Sequence, residues 1–215
     1  MEESYMTVSN CQIKDLGKIY LDYFGYIKNG FFIDVGAFDG LNFSNTAGLA
    51  KAGWSGIMYE PVDDYYKDCV KNYRDYNNVE IINICIGNKI GVIDFIVAGT
   101  LSTYSDWHSK TAYWKDCYKD SYKVFSNITT LDKSLEENFV RQNFEVLNID
   151  VEGSETEVLE CFNIDYWRPK MAIVEAQELH PAEEMRNQAP FINKYFKDAG
   201  YKKIYCDEIN NIYVL

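Results

Sequence analysis

The chain has 215 residues, enough for one well-packed domain and short for two. Its 21 basic and 33 acidic residues leave a formal net charge of -12, and with no run of five or more Lys and Arg this argues against a nucleic-acid partner. No 18-residue apolar stretch, no basic-then-apolar start at Met1-Glu2-Glu3-Ser4-Tyr5 and six scattered cysteines without Cys-x-x-Cys together predict a cytoplasmic protein with reduced thiols and no membrane span.

Ile13, Leu16, Tyr20, Tyr23 and Ile27 recur at steps of 3 and 4, which predicts an amphipathic helix stopping near Asn29-Gly30. Residues 1–29 are therefore an N-terminal helical segment, and 30–215 a single domain. Phe31–Val35 is a short apolar run before a glycine turn, the pattern of a strand buried on both faces. A helix is predicted over 43–52 with Gly53 as its stop, then a strand over Ser55–Tyr59. Pro61 opens a helix that turns Tyr66, Cys69, Val70 and Tyr73 inward, and 79–84 is a third strand. This β-α-β-α-β order implies parallel strands with right-handed crossovers.

Asn88-Lys89-Ile90-Gly91 predicts a turn into a strand over 92–97, so a small strand pair interrupts the pattern. Residues 99–126 are polar and aromatic with weak periodicity, and they hold Trp107, His108, Tyr113, Trp114 and Tyr118. A segment of that length without clear elements predicts a functional lid or a mobile insert. Regular structure resumes with a helix over 131–139, a strand over 144–149 and a capping box at Ser154-Glu155-Thr156-Glu157 opening another helix. A strand over 171–174, a helix over 191–199 and strands over 201–206 and 211–215 complete one doubly wound, mostly parallel α/β domain ending in a β-hairpin.

Open α/β sheets bind ligands at the carboxyl ends of their strands. The first such end reads Asp34-Val35-Gly36-Ala37-Phe38-Asp39-Gly40. Gly36 permits a tight turn and close backbone approach. The Asp34 carboxylate would repel a pyrophosphate but attract an ammonium group, which suits S-adenosylmethionine. Glu60, 20 residues after Gly40, is placed to accept from both ribose hydroxyls of an adenosine, and the lack of Gly-x-Gly-x-x-Gly argues against NAD. A capped tight turn and a solvated strand-end carboxylate are the plain structural alternatives.

Asp150, Glu152 and Glu155 fall within six residues at a later strand end, costly by repulsion unless a sulfonium, an amine, a metal ion or a Lys or Arg compensates. The next strand ends in Glu175, followed by Gln177, Glu178 and His180. His108 and His180, the two histidines, are candidate general bases near neutral pH, or ordinary surface residues.

Phe32-Ile33-Asp34-Val35-Gly36-Ala37, Gly53-Trp54-Ser55-Gly56-Ile57 with Glu60-Pro61, Thr130-Leu131-Asp132 and Ile149-Asp150-Val151-Glu152-Gly153-Ser154-Glu155 resemble the FkbM-type methyltransferases. So do Arg168-Pro169…Ile173-Val174-Glu175 and the closing Asn211-Ile212-Tyr213, so that the resemblance runs from Gly30 to Leu215. It implies a Rossmann-like class I methyltransferase fold and an S-adenosylmethionine-dependent O-methyltransferase acting on a hydroxyl of a sugar, glycan or other small molecule. The family commonly has Asn at the position of Phe38 and often Ala at that of Cys85.

The resemblance implies that Asp34, Gly36, Ala37, Gly40 and Ser44 hold the methionine part of the cofactor, with Asp150 beside them. Glu60 and Pro61 face the ribose, and Asn83, Cys85 and Ile86 run along the adenine. Asp150 or Glu152 orients or deprotonates the acceptor, with Glu175 in support. In-line methyl transfer needs alignment, exclusion of water and removal of one proton. A Mg²⁺ or Ca²⁺ ion on Asp150, Glu152 and Glu175 is the less favoured reading. The rival classes are an RNA cap 2′-O-methyltransferase, against which Glu175 stands where a Lys is expected, and a non-catalytic binding module of the same fold.

Overall fold

The computed structural model describes residues 11–215. Residues 1–10 of the expected N-terminal segment lie outside the described residues; the helix there, α1, spans Leu16–Phe24 and buries Leu16 and Tyr20. Strand β1 (Phe31–Val35), helix α2 (Ala47–Lys51), β2 (Ser55–Tyr59), α3 (Asp63–Tyr73) and β3 (Val79–Ile82) follow. Next come β4 (Cys85–Ile86), β5 (Gly91–Val97), α4 (Asp106–Lys110), β6 (Tyr122–Thr129) and α5 (Leu131–Glu137). The chain continues with β7 (Val146–Ile149), α6 (Glu155–Glu160), α7 (Ile164–Trp167), β8 (Met171–Glu175), a 3₁₀ turn (Glu183–Arg186) and α8 (Ala189–Asp198). It closes on the hairpin β9 (Lys202–Cys206) and β10 (Asn210–Val214).

The main sheet has the order β3-β2-β1-β7-β8-β10-β9, parallel from β3 to β8 with β10 antiparallel to both neighbours. Alternate residues of each strand feed opposite faces. Ile33, Ile57, Leu147 and Val174 pack with Leu135 of α5, Leu159 of α6 and Phe196 of α8. Phe32, Met58, Val146 and Ile173 pack with Tyr20 of α1, Leu49 of α2 and Tyr73 of α3. Coverage on both faces explains why these strands are continuous apolar runs in sequence. Chain order reverses between β1 and β7, so the ligand crevice of an open α/β sheet falls where Gly36 meets Asp150.

Several sequence expectations need correction. The helix expected from Phe43 begins at Ala47, because Phe43 is left-handed (φ 60°) and the Ser44 hydroxyl accepts from the amides of Thr46 and Ala47. The last part of the expected insert is strand β6, paired antiparallel with β5 and parallel with β4 in a separate three-stranded sheet. That sheet has its own small core of Ile93, Phe95, Val97 and Ile128 against Val62. No capping box forms at Ser154, whose side chain makes no cap bond; Glu155 instead accepts from the amides of Val151 and Gly153. Among the described residues no helix is long and apolar enough to cross a membrane.

Candidate active site

The carboxyl ends of β2, β1, β7 and β8 lie side by side and present Glu60, Gly36, Asp150 and Glu175 along one edge. Gly36 has φ +94°, and a Cβ there would sit 1.8 Å from the Asp150 carbonyl oxygen. Only glycine lets the two strand ends approach this closely. Asp34, buried beneath the turn, accepts from Thr46 Oγ1 at 2.5 Å and from Asn148 Nδ2 at 2.9 Å. Burial raises its carboxyl to about 6, and those two bonds oppose the rise.

Glu60 is also buried and already accepts from the Val62 and Phe38 amides, at 2.8 and 2.9 Å. Burial pushes it to about 8 in spite of these bonds. It borders a cleft of about 490 Å³, including space open to solvent, walled by Phe38, Tyr65, Ile84, Ile86, Phe95 and Tyr104. Pro61 and Cys85 line the same cleft. Flat aromatic and aliphatic walls with one carboxylate at the edge match a purine nucleoside. The Tyr104 hydroxyl is buried there beside the Ser154 hydroxyl.

A second chamber of about 950 Å³ on the same measure adjoins it and shares Gly36, Phe38, Thr100, Asp150 and Glu152. Asp34, Ala37, Ser44, Asn148 and Trp114 complete much of its wall. The Trp114 indole N–H is a buried orphan. A polar chain crosses this wall: Asn148 donates to Asp34 and accepts from Asn45, which also donates to Gln12, which donates to Asp150 at 2.8 Å.

Asp150, Glu152 and Glu175 offer carboxylate oxygens that all lie within 4.8 Å of one another. Glu152 is left-handed (φ 54°) and Gly153 follows at φ +91°, a backbone cost that folds the carboxylate back into the cluster. Burial raises all three carboxyls, and mutual repulsion adds to the rise at Glu152 and Glu175. Gln12 donates to Asp150 and Gln177 to Glu175, and Asp150 and Glu175 lie within hydrogen-bonding reach of each other. Among the described residues no Lys or Arg pairs with these carboxylates; the nearby ionisable base is His108, with Nε2 3.6 Å from Glu152 Oε2.

The structure thus gathers most of the expected residues, and separates a few. Gly40 lines neither cavity; it is packed against α3, with its carbonyl accepting from Tyr73 Oη. Asn83 lines neither cavity and donates to the Glu60 carbonyl. His180 is held away from the cluster, its Nδ1 accepting from the Ala182 amide and its ring edge-on to Tyr113. Gln12, Asn45, Tyr65, Phe95, Tyr104 and Asn148 escaped the sequence reading. Inward alternation along residues 92–97 could have flagged Phe95; nothing local marks Gln12.

A sequence model described as the methyltransferase FkbM domain matches residues 34–203. No curated protein matches the chain by sequence. Among solved structures, a precorrin-6y C5,15-methyltransferase from Geobacter metallireducens GS-15 superposes with TM-score 0.51 at 10% identity, covering 97% of this chain and 92% of that one. A METTL16 methyltransferase domain gives TM-score 0.52 at 10% identity over 92% of this chain and 64% of its own. At such identities these likenesses speak to the fold alone, which is that of the class I methyltransferases.

Proposed function

Because the chain belongs to the FkbM methyltransferase family, whose members use S-adenosylmethionine, we propose that it methylates a hydroxyl of a sugar, glycan or other small molecule in the cytoplasm. The observation that carries this reading is the shared wall. A nucleoside-shaped cleft and the adjoining chamber meet at Gly36, Phe38, Thr100, Asp150 and Glu152. With the cofactor's nucleoside in the cleft and its methionine end in the chamber, the methyl group and an acceptor come together at that wall, beside carboxylates able to take a proton.

The cofactor supplies an electrophilic methyl group on a sulfonium. Glu60 accepts from the ribose hydroxyls, and Tyr65, Phe95 and Ile86 hold the base between flat faces. Asp34, Ala37 and Ser44 border the methionine end. Asp150 or Glu152 orients the acceptor hydroxyl and takes its proton; burial raises both carboxyls and so makes their carboxylates stronger bases. Residues 99–121 close over both cavities through Thr100, Tyr104 and Trp114 and exclude water. The net charge of -12 favours a neutral or cationic acceptor over RNA.

Calorimetry with S-adenosylmethionine tests the first half of this reading, and no binding at millimolar cofactor would sink it. A tritiated-methyl screen over glycans, small alcohols and capped RNA tests the second. On the acceptor it identifies, Asp150→Asn is expected to lose about 100-fold or more in turnover, the scale of one general base.

A further inference from the structure

We propose that Asp150, Glu152, Glu175 and His108 form a binding site for one divalent cation. Acidic clusters are common without ions, so the weight rests on the histidine. His108 is fully buried, and its ring lies over the Gly153 turn, where a Cβ on Gly153 would meet the His108 Cβ at 2.6 Å. Its Nδ1 lies 2.8 Å from Tyr118 Oη, and that hydroxyl donates its single hydrogen to the Leu101 carbonyl. Nδ1 must therefore carry the ring proton and donate to Tyr118 Oη. Nε2 is left with a bare lone pair, buried, without a hydrogen-bond partner and 3.6 Å from Glu152 Oε2.

Two acceptors facing each other in a buried site call for something electropositive between them. A neutral imidazole whose far nitrogen is anchored by a hydrogen bond is the form in which histidine binds metals. Glu175 Oε2 is buried in the same cluster, and Glu175 lies within hydrogen-bonding reach of Asp150, so two more acceptor groups are pressed together there.

The spacing fits. Ligands at about 2.3–2.6 Å from a Ca²⁺-sized cation lie about 3.3–3.7 Å apart when adjacent and about 4.6–5.2 Å apart when opposite, and a smaller cation draws them in by about a few tenths of an ångström. The observed values are 3.6 Å from His108 to Glu152 and at most 4.8 Å among the carboxylates. Three carboxylates carry a formal charge of -3 with no Lys or Arg paired to them among the described residues, so a divalent ion offsets most of it. Carboxylates suit Mg²⁺, Ca²⁺ and Mn²⁺, whereas imidazole suits transition metals; Mn²⁺ satisfies both halves of the set.

The inference deepens the reading of the strand-end acids as the reaction centre, since a cation there would polarise an acceptor hydroxyl, but the binding stands apart from catalysis. The test is a Mn²⁺ titration of the chelator-treated full chain without cofactor, followed by calorimetry and electron paramagnetic resonance. One Mn²⁺ per chain is expected, with spin-echo modulation from one imidazole nitrogen. Glu175→Gln and His108→Gln should each weaken it at least tenfold while retaining native circular dichroism and cofactor binding. Absence of Mn²⁺ binding up to millimolar in the folded chain, or no nitrogen signal and no loss in Glu175→Gln, would overturn the site. Should His108→Gln fail to fold, the nitrogen signal of the unaltered protein decides the histidine's part. A parallel titration with S-adenosylmethionine separates the two readings: metal without cofactor binding overturns the proposed function, and cofactor without metal overturns the site.

Discussion

Replacing Gly36 by Ala tests the central geometric claim, that β1 and β7 meet too closely for any side chain. Two costs are stacked at this position. The backbone sits at φ +94°, where an L-residue costs about 1–2 kcal/mol. The new Cβ would also have to move from 1.8 Å out to the 3.4 Å of ordinary contact with the Asp150 carbonyl. That movement stretches the bond from the Asp150 amide to the Val35 carbonyl, now 2.9 Å, beyond hydrogen-bonding range and removes about 1 kcal/mol more.

A loss of about 3 kcal/mol is expected, together with loss of cofactor binding. Gly53→Ala supplies the control, since Gly53 has a similar φ of +89° but nothing within 4 Å of its Cβ. It should lose only about 1 kcal/mol, because the strain is partly offset by a less flexible unfolded chain. Both are read from urea unfolding midpoints at constant m-value. Equal losses in the two variants, or intact cofactor affinity in Gly36→Ala, would refute the close-approach argument.

Glu60, raised to about 8, should bind a ribose best once its proton has left, so adenosine affinity should rise about tenfold from pH 7 to pH 9 in calorimetry. Glu60→Gln should flatten that profile. For the free protein the sign is opposite: the proton is held more tightly when folded, so stability is greatest below the ordinary pKa of 4.5 and falls as pH rises toward 8. Glu178, lowered to about 2 chiefly by Lys203 and by bonds from Asn193 and Asn211, against the effect of its partial burial, acts in reverse. Its contribution is present above pH 4.5 and fades as pH falls toward 2, so Glu178→Gln should cost about 1 kcal/mol at pH 7 and nothing at pH 2 by denaturant titration. Asp132→Ala removes the acceptor of the buried Trp167 indole N–H and of the Asn163 amide. It should cost about 2 kcal/mol in unfolding free energy and leave cofactor affinity unchanged.

The parallel strands were legible because burial on both faces leaves an uninterrupted apolar run; Phe31–Val35 and Ser55–Tyr59 are bounded identically in sequence and structure. Strand β6 was not, because its first residues are largely exposed and its pairing with β5 is set across a long connection. The acids of the site could be read as strand ends one by one. Their convergence could not, since it depends on sheet order. The His108 lone pair depends on Tyr118 and Leu101, partners within an insert that has no periodicity to read. Phe38, where the resemblance to the FkbM-type enzymes leads one to expect Asn, is left-handed at φ 51°, a conformation Asn adopts readily, while its ring sits edge-on to Tyr65 at 4.6 Å. A hydrophobic cleft wall is gained there at the expense of backbone ease.

The β5–β6 ladder has a consequence for how this protein could diversify. Residues 98–121 hang from two strands whose pairing persists from Val97–Tyr122 to Gly91–Ile128, so the ends of the segment are fixed however it runs between them. Doubling the length of such a connection costs only about 0.6 kcal/mol of closure entropy. Insertions or deletions in this stretch that leave His108 and its Tyr118 anchor in place can therefore reshape the roof of both cavities, whereas the contact beneath it between Gly36 and Asp150 tolerates not even a methyl group. Mutational drift should accumulate above the site and stop at its floor.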